Sequence, residues 1–239
     1  MSIRHNEYGQ PIGPAVESWS PRPRPQRTDM VGRYCRLEPV NAARHEADLF
    51  AAYREAPDGR DWTYLFSERP DHEEGFHSYL GGLQKSDDPL HFAIVPADTG
   101  KALGTAALMR IEPTHGVIEV GSIAFAPRLK QTRAATESMY LMMRRAFDEL
   151  GYRRYEWKCD SLNAPSRSAA ERYGFTFEGI FRQAIVYKGR SRDTAWYSIT
   201  ADEWPRVRYA FEAWLSPANF DARGQQKQRL AELRSGAPA

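Results

Sequence analysis

Between residues 134 and 150 the apolar side chains Met139, Tyr140, Met142, Met143, Ala146, Phe147 and Leu150 recur at helical spacing, and Gly151 stands where such a helix would stop. The runs 91–95, 102–111 and 117–125 read instead as strands of an antiparallel meander, the last two joined by the turn Glu112-Pro-Thr-His-Gly116. A strand over 155–159 follows the helix, so strand, helix and strand predict a βαβ unit with a parallel pair. Upstream, a short strand at 34–38 leads into a helix capped by Asn41 and carrying Leu49, Phe50 and Tyr53. An aromatic-bearing loop, 56–70, separates it from a second helix that Asp71 opens and the Asp88-Pro89 turn closes. Downstream the pattern predicts a helix from Asn163 to Arg172 stopped at Gly174. Strands over 177–187 and 194–200, joined at Lys188-Gly-Arg190, and a helix over 204–214 complete it.

Both ends depart from this periodicity. Residues 1–29 are rich in Pro and Gly, including Ser20-Pro-Arg-Pro-Arg-Pro25, which predicts an extended arm that Trp19 pins to the body. Its arginines are read as solubilising rather than as contacts to an acidic partner. Residues 216–239 read as a charged tail, which leaves 30–215 as one main domain. With 41% apolar and 27% charged residues in 239, the composition is that of a globular protein. No run approaches the roughly 18 apolar residues of a membrane span, and the first residues lack the apolar stretch of a secretion signal, so a cytoplasmic location is expected. Cys35 and Cys159 lie far apart and none of the six histidines sits at metal-ligand spacing, so no metal is expected. A net charge of +2 argues against nucleic-acid binding, including through Lys130, Arg133, Arg144 and Arg145.

Five segments in order sharpen the picture: Ala135-Thr-Glu137, Arg153-Arg-Tyr-Glu-Trp157, Asn163-Ala-Pro-Ser166, Tyr173-Gly-Phe175 and Glu178-Gly-Ile-Phe-Arg182. Together with the element order they resemble the GNAT superfamily of N-acetyltransferases, and within it the ribosomal-protein-acetylating RimJ/RimL-like branch. The resemblance covers residues 30 to 205 and, more weakly, the arm. It implies an α/β GNAT acyltransferase fold for 30–215: a mixed, mostly antiparallel central sheet with a splayed parallel strand pair and flanking helices. It also implies acetyl-CoA as cosubstrate without a metal, in a monomer or homodimer. The acetyl group would pass by direct attack on the thioester to a primary amine, either a small molecule or a protein N-terminus. A non-catalytic acyl-CoA-binding sensor or scaffold is the alternative.

The stretch Lys130-Gln131-Thr132-Arg133-Ala134-Ala135-Thr136 connects strand to helix, where unpaired amides and the helix dipole suit a pyrophosphate. The family's usual signature is Gln/Arg-x-x-Gly-x-Gly/Ala. Here Lys130 takes its first place and Arg133 takes the place of the central glycine, which normally allows positive φ or close approach of phosphate. A basic, solvated helix start is the alternative reading. The resemblance places the acyl arm along Ile123, Ala124 and Phe125, with Asn163 bonding the pantetheine and Ser166 serving the departing thiolate. Asn and Ser also favour helix starts for their own sake. Glu119, mid-strand in Val117-Ile-Glu-Val-Gly121, is the candidate base, or else an ordinary outward-facing glutamate. The strand glutamate used by RimL-type enzymes falls at Ile185 and is absent. Trp62 and Tyr64 are candidates for the acceptor pocket, or for core anchoring. Asp193 is a candidate acid there, or a hairpin residue.

Overall fold

The computed structural model describes residues 3–238. Its main sheet has eight strands: β3 (Met30–Val31), β4 (Cys35–Pro39), β5 (Leu90–Pro96), β6 (Gly104–Glu112), β7 (Val117–Phe125), β8 (Arg154–Asp160), β9 (Thr176–Tyr187) and β10 (Arg190–Thr200). The order across the sheet is β3-β4-β5-β6-β7-β8-β10-β9, and only β7 and β8 pair in parallel. Strands β1 (Arg4–His5) and β2 (Pro11–Ile12) form a separate hairpin in the arm. This is the mixed sheet expected from the sequence, with the βαβ unit in its predicted place.

Helix α1 (Ala42–Arg54) is capped by Asn41, whose side chain accepts from the Arg44 amide. Helix α2 (Glu73–Lys85) starts one residue later than expected, because the cap is the His72 ring rather than Asp71. The long apolar stripe becomes α3 (Arg133–Arg144), extended by a wider helical turn over Arg145–Glu149. Helix α4 (Ala164–Tyr173) stops at Gly174, whose φ of 99° lies where a side chain would be strained. Helix α5 (Trp204–Leu215) and the short α6 (Leu230–Ser235) complete the chain. Every residue of β5 is buried, so both faces of the sheet are covered there, with α2 and α3 both packing on this strand.

The two ends are bound more closely than their composition implied. The Trp19 indole donates to the Thr114 carbonyl at 2.9 Å and pins the arm as expected. Arg24 and Arg27 do more than solubilise it, since they pair with Asp88 and Asp87. The stretch after residue 215 packs on the body. Leu230 is 2% exposed, α6 lies against α5, and Asn219 donates to the carbonyls of Trp214 and Gln228. Among the described residues no helix is long and apolar enough to cross a membrane.

Candidate functional site

Strands β7 and β8 run together only from Val117 opposite Arg154 to Val120 opposite Trp157, and then part. The cause lies in β7, where Ser122 takes a φ of 48° and the register against β6 shifts between Thr105 and Ala107. A bulge of this kind bends the strand and re-aims it. Beyond it, Ala124 faces β6 and its carbonyl accepts from the Tyr53 hydroxyl at 3.1 Å, while the Ala126 amide donates to Leu103. By strand alternation Ile123 and Phe125 turn their backbone groups to the open side, where β8 no longer pairs.

The open edge continues through residues 126–132 into the N-terminus of α3. Thr132 caps that helix by accepting from the Ala135 amide at 3.0 Å. The amides of Gln131, Arg133 and Ala134 find no protein acceptor among the described residues. The left-handed backbone of this loop falls on Gln131, with φ of 61°, while Arg133 is the first helical residue. The missing glycine is therefore no obstacle at 133, where the conformation is one any side chain adopts. The Arg133 guanidinium stacks 4.0 Å from the Phe220 ring centre and 5.5 Å from that of Tyr34. Arg172 reaches the Thr136 hydroxyl at 3.3 Å. Among the described residues neither arginine forms an ion pair, whereas Lys130 is tied to Asp61 at 2.6 Å.

One cleft of about 2190 Å³ runs past all of these groups. It is about twice the upper range of an ordinary small-ligand pocket, which leaves room for more than one ligand. Every candidate residue named from the sequence lines it except Asp193. That carboxylate serves the hairpin instead. It accepts from the Gln183 amide at 2.7 Å, at a register shift of β10 between Arg192 and Thr194. Arg144 and Arg145 do not join Lys130 and Arg133 in a basic patch. Arg145 is buried and donates to Thr28 and the Asp29 carbonyl.

Glu119 is 2% exposed and faces this cleft, not solvent. Arg110 Nη1 donates to both its oxygens at 2.9 and 2.7 Å, and Lys158 Nζ lies 3.0 Å away. Lys158 also pairs with Glu156 at 2.6 Å and sits over the Trp196 ring. Two cations thus share one buried acid on β7 with a second on β8, a matched cluster that satisfies groups too costly to bury alone. Ser166 Oγ accepts from the Trp157 indole at 3.0 Å, and the Asn163 side chain accepts from the Ser166 amide at 3.2 Å. Beside them, burial pushes the Cys159 thiol up, and the Ser166 hydroxyl offsets part of the rise. Trp62 is buried edge-on against Tyr53 and Tyr79, while the Tyr64 hydroxyl reaches across to the Leu162 carbonyl at 3.2 Å. Among the described residues no group of three His, Cys, Asp or Glu side chains is placed to hold a metal ion.

Several lining residues have no sequence signal. Arg110 and Lys158 look like ordinary strand cations until the sheet brings them to Glu119. Phe220 and residues 224–226 wall the far end of the cleft from within a stretch that reads as a polar tail.

The family described as Acetyltransferase (GNAT) domain matches residues 35–176. None of the curated protein sequences gives a significant match. Among solved structures, a GCN5-related N-acetyltransferase from Brucella melitensis is 51% identical with a TM-score of 0.90, covering 92% of this chain and 100% of its own. A probable GNAT-family acetyltransferase from Chromobacterium violaceum is 38% identical with a TM-score of 0.75, over 82% of this chain and 98% of its own. At 18% identity and a TM-score of 0.59 the fold extends to an acetyl transferase of Salmonella typhimurium that modifies the N-terminal serine of ribosomal protein L7/L12. That likeness covers 72% of this chain and 99% of the other. A strand that opens onto a helix terminus, in a chain so similar to these, has one family to go to: the protein is a GNAT acetyltransferase.

Proposed function

We propose that the protein moves an acetyl group from acetyl-CoA to a primary amine, of a small molecule or of a protein N-terminus, as the RimJ/RimL-like resemblance implies. One observation carries the reading: the unpaired edge of β7 leads straight into a helix terminus with free amides. These residues fit acetyl-CoA. The backbone of Ile123 and Phe125 would hold the pantetheine amides as an added strand. The amides of Gln131, Arg133 and Ala134, with the Arg133 guanidinium, would hold the pyrophosphate.

Acetyl-CoA, when bound, supplies an activated acyl thioester. The chain itself must manage two protons. A primary amine is largely protonated at neutral pH and attacks only when neutral, so an acceptor is required. Glu119 fills that role, facing the cleft from the paired half of β7. Ser166 supplies the donor for the departing sulfur. The Trp157 indole only donates, so it occupies a lone pair of Ser166 Oγ and leaves the hydroxyl proton to be shared between the neighbouring Cys159 sulfur and the departing thiolate. Asn163 fixes the backbone of the same residue.

The engagement of Glu119 by two cations favours the second reading, an acyl-CoA-binding module without catalysis. Thermal shift with acetyl-CoA and with CoA separates the two when followed by thiol release over amino acids, polyamines, aminoglycosides and ribosomal N-terminal peptides. The enzyme reading expects stabilisation by both nucleotides and thiol release that depends on one class of amine. Stabilisation with no amine-dependent release from any class supports the module.

A further inference from the structure

Arg192 is 5% exposed, borders the cleft and forms no ion pair among the described residues. Only its Nε is bonded, to the Thr194 hydroxyl at 3.2 Å. Its two terminal amino groups meet no acceptor among the described residues, and no carboxylate lies within ion-pairing distance. The neighbouring cations differ in this respect: Arg110 and Lys158 are matched by Glu119 and Glu156. The guanidinium lies 5.4 Å from the Phe66 ring centre and 5.8 Å from that of Tyr187, two rings that themselves meet at 5.6 Å. Asp160 is the nearest acid, but its oxygens are taken by the Leu162 amide at 2.9 Å and the Tyr187 hydroxyl at 2.8 Å. The register shift at Asp193 sets how β10 presents Arg192. None of these neighbours belongs to the group around the α3 terminus, which is Tyr34, Phe220, Arg172 and Thr132. Arg192 therefore serves the other end of the cleft.

A desolvated guanidinium with free terminal donors is costly to keep unless a ligand completes it. Its planar fork matches a carboxylate through two parallel hydrogen bonds. A single guanidinium without an ion-pair partner suits a monoanion. A dianion would set more negative charge beside the nearby Asp160 carboxylate than a single carboxylate does. We propose that Arg192 recognises a carboxylate on the acceptor, so that the amine acetylated belongs to a free amino acid or to the N-terminal residue of an acidic peptide. The identity of the ligand as an acceptor rests on the acetyl-transfer reading; the carboxylate site itself does not.

The test uses matched pairs: amino acids against their methyl amides, and amidated peptides beginning with Asp against the same peptides beginning with Asn. Thiol release gives kcat/KM, and calorimetry gives binding of the corresponding N-acetyl amino acids and their methyl amides to CoA-loaded protein. The wild type is expected to favour the carboxylate member at least about tenfold, and the responding pair tells amino acid from peptide. Arg192→Met, apolar and of similar length, should erase the preference, and Arg192→Lys should retain part of it, both with unchanged affinity for acetyl-CoA. Carboxylate binding without transfer keeps the site and removes the acetyl-transfer reading. Equal use of both members, a preference that survives in Arg192→Met, or neither binding nor transfer of any carboxylate overturns the proposal.

Discussion

On the proposed reading Ser166 and Glu119 divide the proton traffic, and their substitutions should separate by pH. Glu119→Gln is expected to lower turnover strongly at neutral pH and to lose less as pH rises and free amine accumulates; a kcat profile from pH 6 to 10 checks this. Ser166→Ala should lower kcat by about 100-fold with little change in KM for acetyl-CoA, in the range usual for a lost general acid. His91 gives a different pH signature. Burial, with help from the Arg27 charge, pushes its imidazole down to about 4 from the usual 6.5. The unfolded chain therefore binds a proton between these values that the folded protein refuses. Stability present above pH 6.5 is lost as pH falls towards 4, by up to about 3 kcal/mol. Thermal unfolding across that window should fall steeply in the wild type and less in His91→Asn. At this scale the sequence shows what is local. Asn41 and Asn163 cap helices three residues ahead of their partners, so their roles are legible from spacing. The surroundings of Arg192 are made by Phe66 and Tyr187 from distant segments, and no spacing announces them.

Elements were legible where one period ran long, as in α3, and illegible where a single residue breaks the pattern. Ser122 and Gln131 both take left-handed backbone without being glycine. One opens β7 and the other shapes the turn into α3, yet neither is a Gly or Pro that would mark the break in the sequence. The consequence is testable at the turn. Gln131→Val places a β-branched residue where it is disfavoured and should cost about 1 to 2 kcal/mol and raise KM for acetyl-CoA, while Gln131→Gly should be tolerated. Denaturant midpoints for the pair check the sign. The Lys188-Gly189 turn, with φ of 49° and 69°, was easier to read because Gly marks such hairpins directly.

Over the whole molecule, residues after 215 close the end of the cleft at the α3 terminus, where the phosphates are proposed to sit. Composition hid this, because a few apolar residues such as Phe220 and Leu230 scattered among charges give no periodic signal. Deletion from residue 217 onward should lower Tm by roughly 5 to 10 °C, taking about 3 kcal/mol for the lost burial of those two side chains. It should also raise KM for acetyl-CoA, since Arg133 loses the ring it stacks on; scanning calorimetry and initial rates measure both. The two halves of the cleft have a kinetic corollary. Its one thiol, Cys159, is raised by burial and is therefore a poor acyl carrier. Without a covalent relay, donor and acceptor must occupy the cleft together. Initial-rate lines at several fixed amine concentrations should therefore intersect, not run parallel, and CoA should leave only after both substrates have met.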